Sequence, residues 1–374
     1  MTTETALFDP AAFRIPPGTA HLAAGGETPF LHSHDAIFAR YADDKSRGLA
    51  GRERLNAMAE RVRARAADYL GADPCEIGFA GSVADGVAIA AANAGFEAGD
   101  RVVVARHEFP SVAVPLAMRS DVALVEARNP DCAAFTEAIE ATPGGPVRVI
   151  AVSYVSYVDG RRVDLAAFRR LADALGAALW VDFTQCSGVL PVDLAITDFA
   201  FSSCYKWLLG TTSAAVCYWN RTRRPDWRPR ASGWGGLVHN APFKLDDAAL
   251  RARDDAGVFT RGNPAHLALM ILENALDFLG RFDALALAAH VQDLTTSLIL
   301  GLGEMGLAVT TPAERECHGA SVCIRHPDPP AVVARLAQDG VLAWGGHGRV
   351  RFSFHGYNHA GDVARALRAM AALA

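Results

Sequence analysis

Residues 178–220 read ALWVDFTQCSGVLPVDLAITDFAFSSCYKWLLGTTSAAVCYWN, and this stretch decides the fold that the sequence predicts. It contains three short apolar runs, rich in Val, Phe and Tyr and bounded by turn residues, a pattern typical of buried strands. The first run ends at Asp182, and the second leads directly into Lys206. Because polar groups at strand ends line the ligand crevice of open α/β sheets, we expect Asp182 and Lys206 to belong to one site.

Strands and helices alternate on the amino-terminal side of this stretch. Residues 147–156 predict a buried strand and residues 160–175 a turn and a helix, as expected for a mostly parallel sheet with right-handed crossovers. Residues 77–81 predict another strand, which turns at Ser82 into an Ala-rich helix. The amino terminus of a helix is a ready phosphate site. The alternative is that Ser82 only caps the helix.

The composition is that of a globular protein with a large core and room for two domains: 51% of the residues are hydrophobic and 21% are charged. The net charge of -5 gives no reason to expect nucleic acid or an anionic membrane as a partner. No signal peptide is visible at the start, and no apolar run approaches the roughly 18 residues of a membrane span. The seven cysteines are scattered, so we expect neither a zinc site nor a disulfide framework, and we predict a cytoplasmic protein.

Two patterns in the central stretch occur at fixed spacing. D-x-x-Q-x-x-G-x-x-P-x-D begins at Asp182, and D-F-x-x-x-S-x-x-K-W-L-x-G begins at Asp198. They resemble the class V branch of the fold-type I pyridoxal-phosphate enzymes, which includes cysteine desulfurases, kynureninases and isopenicillin N epimerase-like proteins. The resemblance implies pyridoxal 5'-phosphate as cofactor and an α/β fold: a mostly parallel central sheet with helices on both faces, plus a smaller α+β C-terminal domain. It also implies an N-terminal arm over residues 1–20, a large cofactor-binding domain over 21–260 and the small domain over 261–374.

The resemblance assigns roles at the reacting centre to three residues of these patterns. Lys206 forms the Schiff base with the cofactor and later moves protons. Asp182 keeps the pyridine nitrogen protonated by charge pairing, and Gln185 donates a hydrogen bond to the ring oxygen. The apolar context of Lys206 also favours a function, because an idle charge there would be costly.

The family's phosphate ligands match five further positions. The resemblance implies that Ser82 and Val83, in the turn before the Ala-rich helix, hold the cofactor phosphate together with Ser203 and Tyr205. Asn263 stands where Thr is commoner in the family. At that position the side chain reaches the phosphate of the neighbouring subunit's cofactor, which implies a homodimer with shared active sites.

Phe109 lies in an E-F-P-S string that resembles kynureninases and epimerase-like members. The resemblance implies that its ring lies on the pyridine ring of the cofactor and fixes the orientation of that ring. The residues alone favour a core phenylalanine. His107, Ser153 and Ser156 are weaker candidates for the same site.

Arg349, Arg351 and Ser353 alternate with apolar residues near the C-terminus, so one face of a strand is polar there. The pattern R-x-S-x-x-x-Y-N begins at Arg351 and resembles the ending of the family. It places at Arg351 the arginine that grips the substrate carboxylate, a role that suits a planar guanidinium. The alternative is a surface arginine on an edge strand, and we favour that interpretation for Arg349.

The resemblance implies an enzyme that acts on an amino acid, and we favour a Cα/Cβ lyase such as a C–S lyase. An aminotransferase, an epimerase and a kynureninase-like hydrolase remain open, because the pocket side chains that select among these reactions are not identified by the sequence. Desulfurases place a nucleophilic cysteine where this chain has residues 343–348, and that segment contains none. A non-catalytic pyridoxal-phosphate protein is the other class, and the joint presence of Lys206, Asp182 and Arg351 argues against it.

Overall fold

A seven-stranded sheet lies at the centre of the protein, whose computed structural model describes residues 4–238 and 250–373. The strands in the described residues are β1 (Ala20–His21), β2 (Ile77–Ala80), β3 (Asp100–Ala105), β4 (Val122–Ala127), β5 (Val147–Ser153), β6 (Ala178–Asp182), β7 (Phe199–Ser203), β8 (Ala215–Trp219), β9 (Ser321–Arg325), β10 (Val341–Leu342), β11 (Trp344–Gly346) and β12 (Arg349–Ser353). The order in the large sheet is β2-β8-β7-β6-β5-β3-β4. The three apolar runs of residues 178–220 form β6, β7 and β8, as predicted.

Neighbouring strands of the large sheet are parallel from β4 to β7. Only β8 runs against its two neighbours, β2 and β7. The prediction of a mostly parallel sheet is therefore confirmed. Because the other six strands share one direction, their carboxyl ends lie along the same edge, where open α/β sheets bind ligands.

Helices cover both faces of this sheet. The helices in the described residues are α1 (Asp35–Lys45), α2 (Gly48–Leu70), α3 (Val83–Ala92), α4 (Pro110–Ala117), α5 (Cys132–Ala141), α6 (Leu165–Leu175), α7 (His266–Leu279), α8 (Ala284–Glu304), α9 (Pro329–Gln338) and α10 (Ala360–Ala371). Successive side chains of a strand point to opposite faces. Along β3, Val103 joins an apolar core with α5 and α6, and Val102 and Val104 join a second core with α3 and α4.

A smaller antiparallel sheet in the order β11-β12-β9 follows near the C-terminus. Its central strand is β12, which carries Arg349 and Arg351, and both arginines are buried. The prediction of a surface position on an edge strand for Arg349 is therefore wrong. A strand between two partners has no free edge, and aromatic side chains cover its polar face.

The N-terminal arm packs against the C-terminal part of the chain. Phe8 is fully buried, and its backbone N–H donates to the carbonyl of Gly356 at 2.7 Å. At the end of the arm, Ala20 pairs in parallel with Val341, so β1 and β10 form a two-stranded sheet. The domain boundaries after residues 20 and 260 stay predictions.

Among the described residues, α8 is the one helix with the length and apolar composition that a membrane span needs. Its polar residues interrupt any continuous apolar run. A search of the sequence for continuous runs therefore passes over this helix, although the average hydropathy of the helix is high. More than half of its most apolar window, 56%, is buried inside the protein. His290, Gln292 and Thr295 are buried with it, and α8 is thus a core helix of this fold.

Candidate active site

Lys206 lies in the turn that follows β7, and only 4% of it is exposed. The turn is fixed by Trp207, whose indole N–H donates to the carbonyl of Phe354 at 3.0 Å. Burial, and after it the positive charge of Arg351, lowers the pKa of Lys206 to about 8, although nearby carboxylates oppose the shift. Much of the amine is therefore neutral near pH 8, and the neutral form is the one that attacks a carbonyl.

Asp182 ends the neighbouring strand, β6, and is buried. Its Oδ1 accepts the backbone N–H of Thr184 at 2.8 Å. The hydroxyl of Thr184 in turn accepts the N–H of Ser203 at 2.9 Å, which ties the ends of β6 and β7 together. Burial raises the pKa of Asp182, against the hydrogen bonds of Thr184 and the charge of Lys206. The structure thus brings the predicted carboxylate and the predicted lysine into electrostatic contact.

Glu108 is a second buried carboxyl at this edge, and the sequence analysis missed it. It accepts the backbone N–H groups of Ser153 at 2.8 Å and Phe109 at 2.6 Å, and also the hydroxyl of Ser153. Burial raises the pKa of Glu108, and the charge of Asp182 adds to this effect. The available signal was a carboxylate three residues after the apolar strand β3. Of the weaker candidates, Ser153 lies at the site through this contact.

Aromatic rings line the space in front of the lysine. The Nζ atom of Lys206 lies 5.1 Å from the ring centroid of Phe109 and 5.4 Å from that of Tyr205. The ring of Tyr157 meets Phe109 edge to face, with 5.0 Å between centroids. Phe109 is therefore beside the reacting amine, in a position where its ring can lie against a planar cofactor.

The turn at Ser82 lies at the same edge of the sheet as Lys206. Ala80 at the end of β2 and Ser203 at the end of β7 both pair with Ala215 of β8, so the two ends flank one residue. The Ser82 hydroxyl accepts the N–H of Asp85 at 3.1 Å and caps α3. The cap interpretation is therefore confirmed, and the phosphate site stays a prediction. The two are compatible, because a capped helix still directs its first N–H groups, that of Val83 among them, toward this edge.

Asn263 lies in the segment before α7. Its side-chain oxygen accepts a hydrogen bond from Arg52 of α2 at 2.7 Å. It lines a cavity of about 520 Å³ together with Gly81 and Asp85, beside the turn of Ser82. The structure therefore connects Asn263 with the predicted phosphate turn but not with Lys206.

Gln185 is buried in the loop after β6. Its amide nitrogen donates to the carbonyl of Gly25 at 3.2 Å. A Cβ atom on Gly25 would lie 2.6 Å from the hydroxyl of Ser353 and 3.1 Å from Nε of Arg351, so only glycine fits between these side chains. The N-terminal turn thus joins the loop of Gln185 to the strand of Arg351.

Arg351 reaches the site from β12 and is 5% exposed. Its Nη1 donates to the carbonyl of Tyr157 at 3.3 Å, and its guanidinium carbon lies 5.1 Å from the ring centroid of Trp344. Its Nε is buried without a hydrogen-bond partner in the described residues. Burial lowers the pKa of Arg351, and the adjacent charge of Arg349 acts in the same direction. A carboxylate would satisfy this arginine.

Comparison with known proteins identifies the family. Residues 33–366 match the family model described as Aminotransferase class-V. The chain belongs to this family. Within it, the chain is 32% identical to the kynureninase of Deinococcus radiodurans over 338 residues, which cover 85% of this chain and 78% of that protein.

Solved structures share the class-V fold. The apo structure of a cysteine desulfurase from Thermococcus onnurineus superposes with a TM-score of 0.83 at 22% identity, covering 95% of this chain and 94% of that chain. The C-DES protein, solved with glycine covalently linked to its PLP cofactor, superposes with a TM-score of 0.85 at 17% identity, covering 97% and 99%. Another structure describes C-DES as a cystine C–S lyase.

Pyridoxal phosphate is the cofactor of this class-V enzyme. The residues present fit it: a buried amine of lowered pKa, two buried carboxyls and an aromatic face lie at the carboxyl edge of the sheet. Lys206 would hold the cofactor covalently, Asp182 its ring nitrogen, and Phe109 its ring face. The start of α3 at Ser82 offers N–H groups for a phosphate.

Proposed function

We propose that this enzyme acts on an α-amino acid as a Cα/Cβ lyase that eliminates a β-substituent. The observation that supports this most is the position of the Lys206 amine, which is buried near Asp182 and Arg351 and has a pKa of about 8. An amine of this kind can take the α-proton of a substrate whose carboxylate is held by Arg351. The amino-acid substrate, the residue roles and the reaction are parts of one proposal.

The residues divide the work as follows. The bound cofactor supplies an electron sink for negative charge at the substrate α-carbon. Arg351 binds the α-carboxylate and so fixes which face of the substrate Lys206 meets. Phe109 and Tyr205, whose ring centroids lie 5.1 Å and 5.4 Å from Nζ, keep water from the amine. Lys206 takes the α-proton in its neutral form.

The cysteines support elimination over desulfuration by an enzyme thiol. The hairpin of β11 and β12 contains no cysteine. Cys323 pairs with Arg351 across β9 and β12, but burial raises the pKa of its thiol to about 12. A thiolate is the nucleophilic form, and Cys323 does not supply it near neutral pH.

Hydrolysis of the kynureninase type is the second candidate, and the 32% identity with a kynureninase favours it. Aminotransfer to a 2-oxoacid is a third. One panel of amino acids, analysed for products, separates them. We expect pyruvate and ammonia from a three-carbon substrate with a β-leaving group; a released amino acid would favour hydrolysis, and dependence on an added 2-oxoacid would favour aminotransfer.

We further propose a homodimer whose active sites are shared. The support is the position of Asn263, which lines a cavity with Gly81 and Asp85 beside the phosphate turn, a cavity whose lining does not include Lys206. A partner subunit would bring a second Asn263 to the phosphate turn. Light scattering should give twice the chain mass for the loaded enzyme, and an active, loaded monomer would contradict the proposal. The cytoplasmic location stays a prediction, supported by the free cysteines of the described residues.

A further inference from the structure

Arg349 is a second buried arginine next to the proposed carboxylate-binding residue. It lies two residues before Arg351 on β12, so both side chains leave the same face of the strand. Arg349 is 9% exposed, and its Nε and Nη2 atoms are buried without a hydrogen-bond partner among the described residues. With Nε of Arg351, three guanidinium nitrogens on this face lack an acceptor.

Aromatic contacts place Arg349 beside the substrate space. Its guanidinium carbon lies 5.2 Å from the ring centroid of Tyr157 and 5.0 Å from that of Trp344. The ring of Tyr157 packs against Phe109, whose own centroid lies 5.1 Å from Nζ of Lys206. Arg349 is thus connected to the amine of Lys206 through the rings of Tyr157 and Phe109.

The two buried arginines of β12 have no carboxylate partner within salt-bridge distance in the part of the chain that the structure describes. Among residues 4–238 and 250–373, neither Arg349 nor Arg351 forms a salt bridge. The residue opposite Arg349 on β9 is Arg325, a third cation, which is exposed. Two adjacent buried cations repel each other and lose their hydration, so a structure that keeps both gains from a ligand with two negative groups.

We propose that Arg349 binds a second acidic group, carried on the side chain of the amino-acid substrate, while Arg351 binds the α-carboxylate. The preferred substrate is then an amino acid with an acidic side chain. This inference rests on the proposed amino-acid substrate and adds its chemical class. Neighbouring positions on one strand face are spaced roughly 6–7 Å apart, which suits two separate carboxylates better than one shared carboxylate.

The test compares the affinities of matched acid and amide pairs for the cofactor-loaded enzyme. Binding is measured through the change in the cofactor's visible spectrum. The probes are L-aspartate with L-asparagine and L-glutamate with L-glutamine. We expect the acid of at least one pair to bind at least about tenfold more tightly than its amide, since a charge-assisted hydrogen bond has about this effect. Arg349→Gln should reduce this ratio about tenfold and change amide binding little. Arg351→Gln should weaken acid and amide alike, and Arg325→Gln should leave both unchanged.

Other outcomes overturn the inference. Equal binding of acid and amide by the wild type removes its basis. If Arg349→Gln weakens the binding of acid and amide equally, both arginines hold one carboxylate. If it lowers the Tm and leaves the ratio of acid to amide affinity unchanged, Arg349 only stacks between two rings. If Arg349→Gln does not fold, Arg349→Lys replaces it in the test. A point charge cannot reproduce the planar fork of the guanidinium, so the ratio of acid to amide affinity should still fall. A loaded enzyme whose spectrum responds to no amino acid would instead refute the proposed function itself.

Discussion

The two ends of β7 carry buried charges in opposite situations. Before the strand, Asp198 accepts hydrogen bonds from Arg169 at 2.6 Å and Arg224 at 2.7 Å. Beyond its carboxyl end, Lys206 and Arg351 lie near each other as like charges, and Arg351 has a buried nitrogen without a hydrogen-bond partner among the described residues. The same strand thus connects a carboxylate that forms salt bridges with two cations that form none among residues 4–238 and 250–373.

The difference separates stability from function. A buried charge that is paired with an opposite charge is compensated within the protein and belongs to the fold. A buried charge without such a partner lowers the stability of the free protein, and a ligand of opposite charge compensates it. In the cluster at Asp198, a single nitrogen, Nε of Arg169, lacks a partner. At the other end, the pKa shifts of Lys206 and Asp182 both favour the uncharged forms.

Removal of the lysine should give the largest effect. Lys206→Ala deletes the amine that we propose to hold the cofactor and to move the proton, and we expect kcat/KM to fall at least about 10⁴-fold. Borohydride treatment followed by mass spectrometry should find a pyridoxyl group on Lys206 in the wild type and none in the variant. An adduct on another lysine of the wild type would show that Lys206 has been given the wrong role.

Removal of Asp198 should affect stability and leave catalysis intact. Asp198→Ala leaves the guanidinium groups of Arg169 and Arg224 without this carboxylate. Breaking a buried ion pair lowers the free energy of unfolding by about 3 kcal/mol. Urea unfolding should show this loss, and kcat/KM per folded molecule should stay at the wild-type value. Asp173→Ala is the matched control: this aspartate contacts Arg169 and Arg223 but is half-exposed, so it should cost less than about 1 kcal/mol. A large loss of kcat/KM in Asp198→Ala would show that the Asp198 end of β7 also contributes to catalysis, and would contradict the comparison between the two ends of the strand.

Removal of Arg351 should reduce catalysis and leave stability nearly intact. Arg351→Ala should lower kcat/KM on the best amino acid at least about tenfold, because one partner of a buried charged contact is lost. Stability should not fall by a comparable amount, since the guanidinium is incompletely hydrogen-bonded in the free protein. Arg351→Lys should restore little activity. Unchanged kinetics in Arg351→Ala would place the substrate carboxylate elsewhere.

The pH dependence of cofactor binding should sharpen the comparison. Because the pKa of Lys206 is lowered to about 8, its reactive neutral form increases with pH and saturates above pH 8. The rate at which the apoenzyme reacts with pyridoxal phosphate should therefore rise with pH and level off above about pH 8. In Arg351→Gln the midpoint should move upward, because a positive charge that lowers the pKa is gone. A midpoint near 10, as for an exposed lysine, would contradict the burial of the amine.

The sequence predicts those features that depend on local pattern. The runs ending at Asp182 and preceding Lys206 are continuous in the chain, so period and spacing reveal both the strands and their polar ends. Glu108 was missed because its partner Ser153 ends β5, a strand that is remote in sequence. Arg349 was misplaced because alternation shows that a face is polar but not whether Trp344 covers it. The proposed role of Asn263 would depend on a second chain, which no pattern in one chain describes.

The pairing of Ala20 with Val341 has a consequence for synthesis. The arm is synthesised before the large sheet, yet its strand partner Val341 and rings that pack on Phe8 and Phe13, those of Phe278 and Tyr357, are synthesised after that sheet. The two phenylalanines therefore stay exposed to solvent or chaperones while the large sheet forms, and completion of the C-terminal region is what removes them from water. A nascent chain stopped before residue 341 should display this apolar arm, and release of the full chain should hide it.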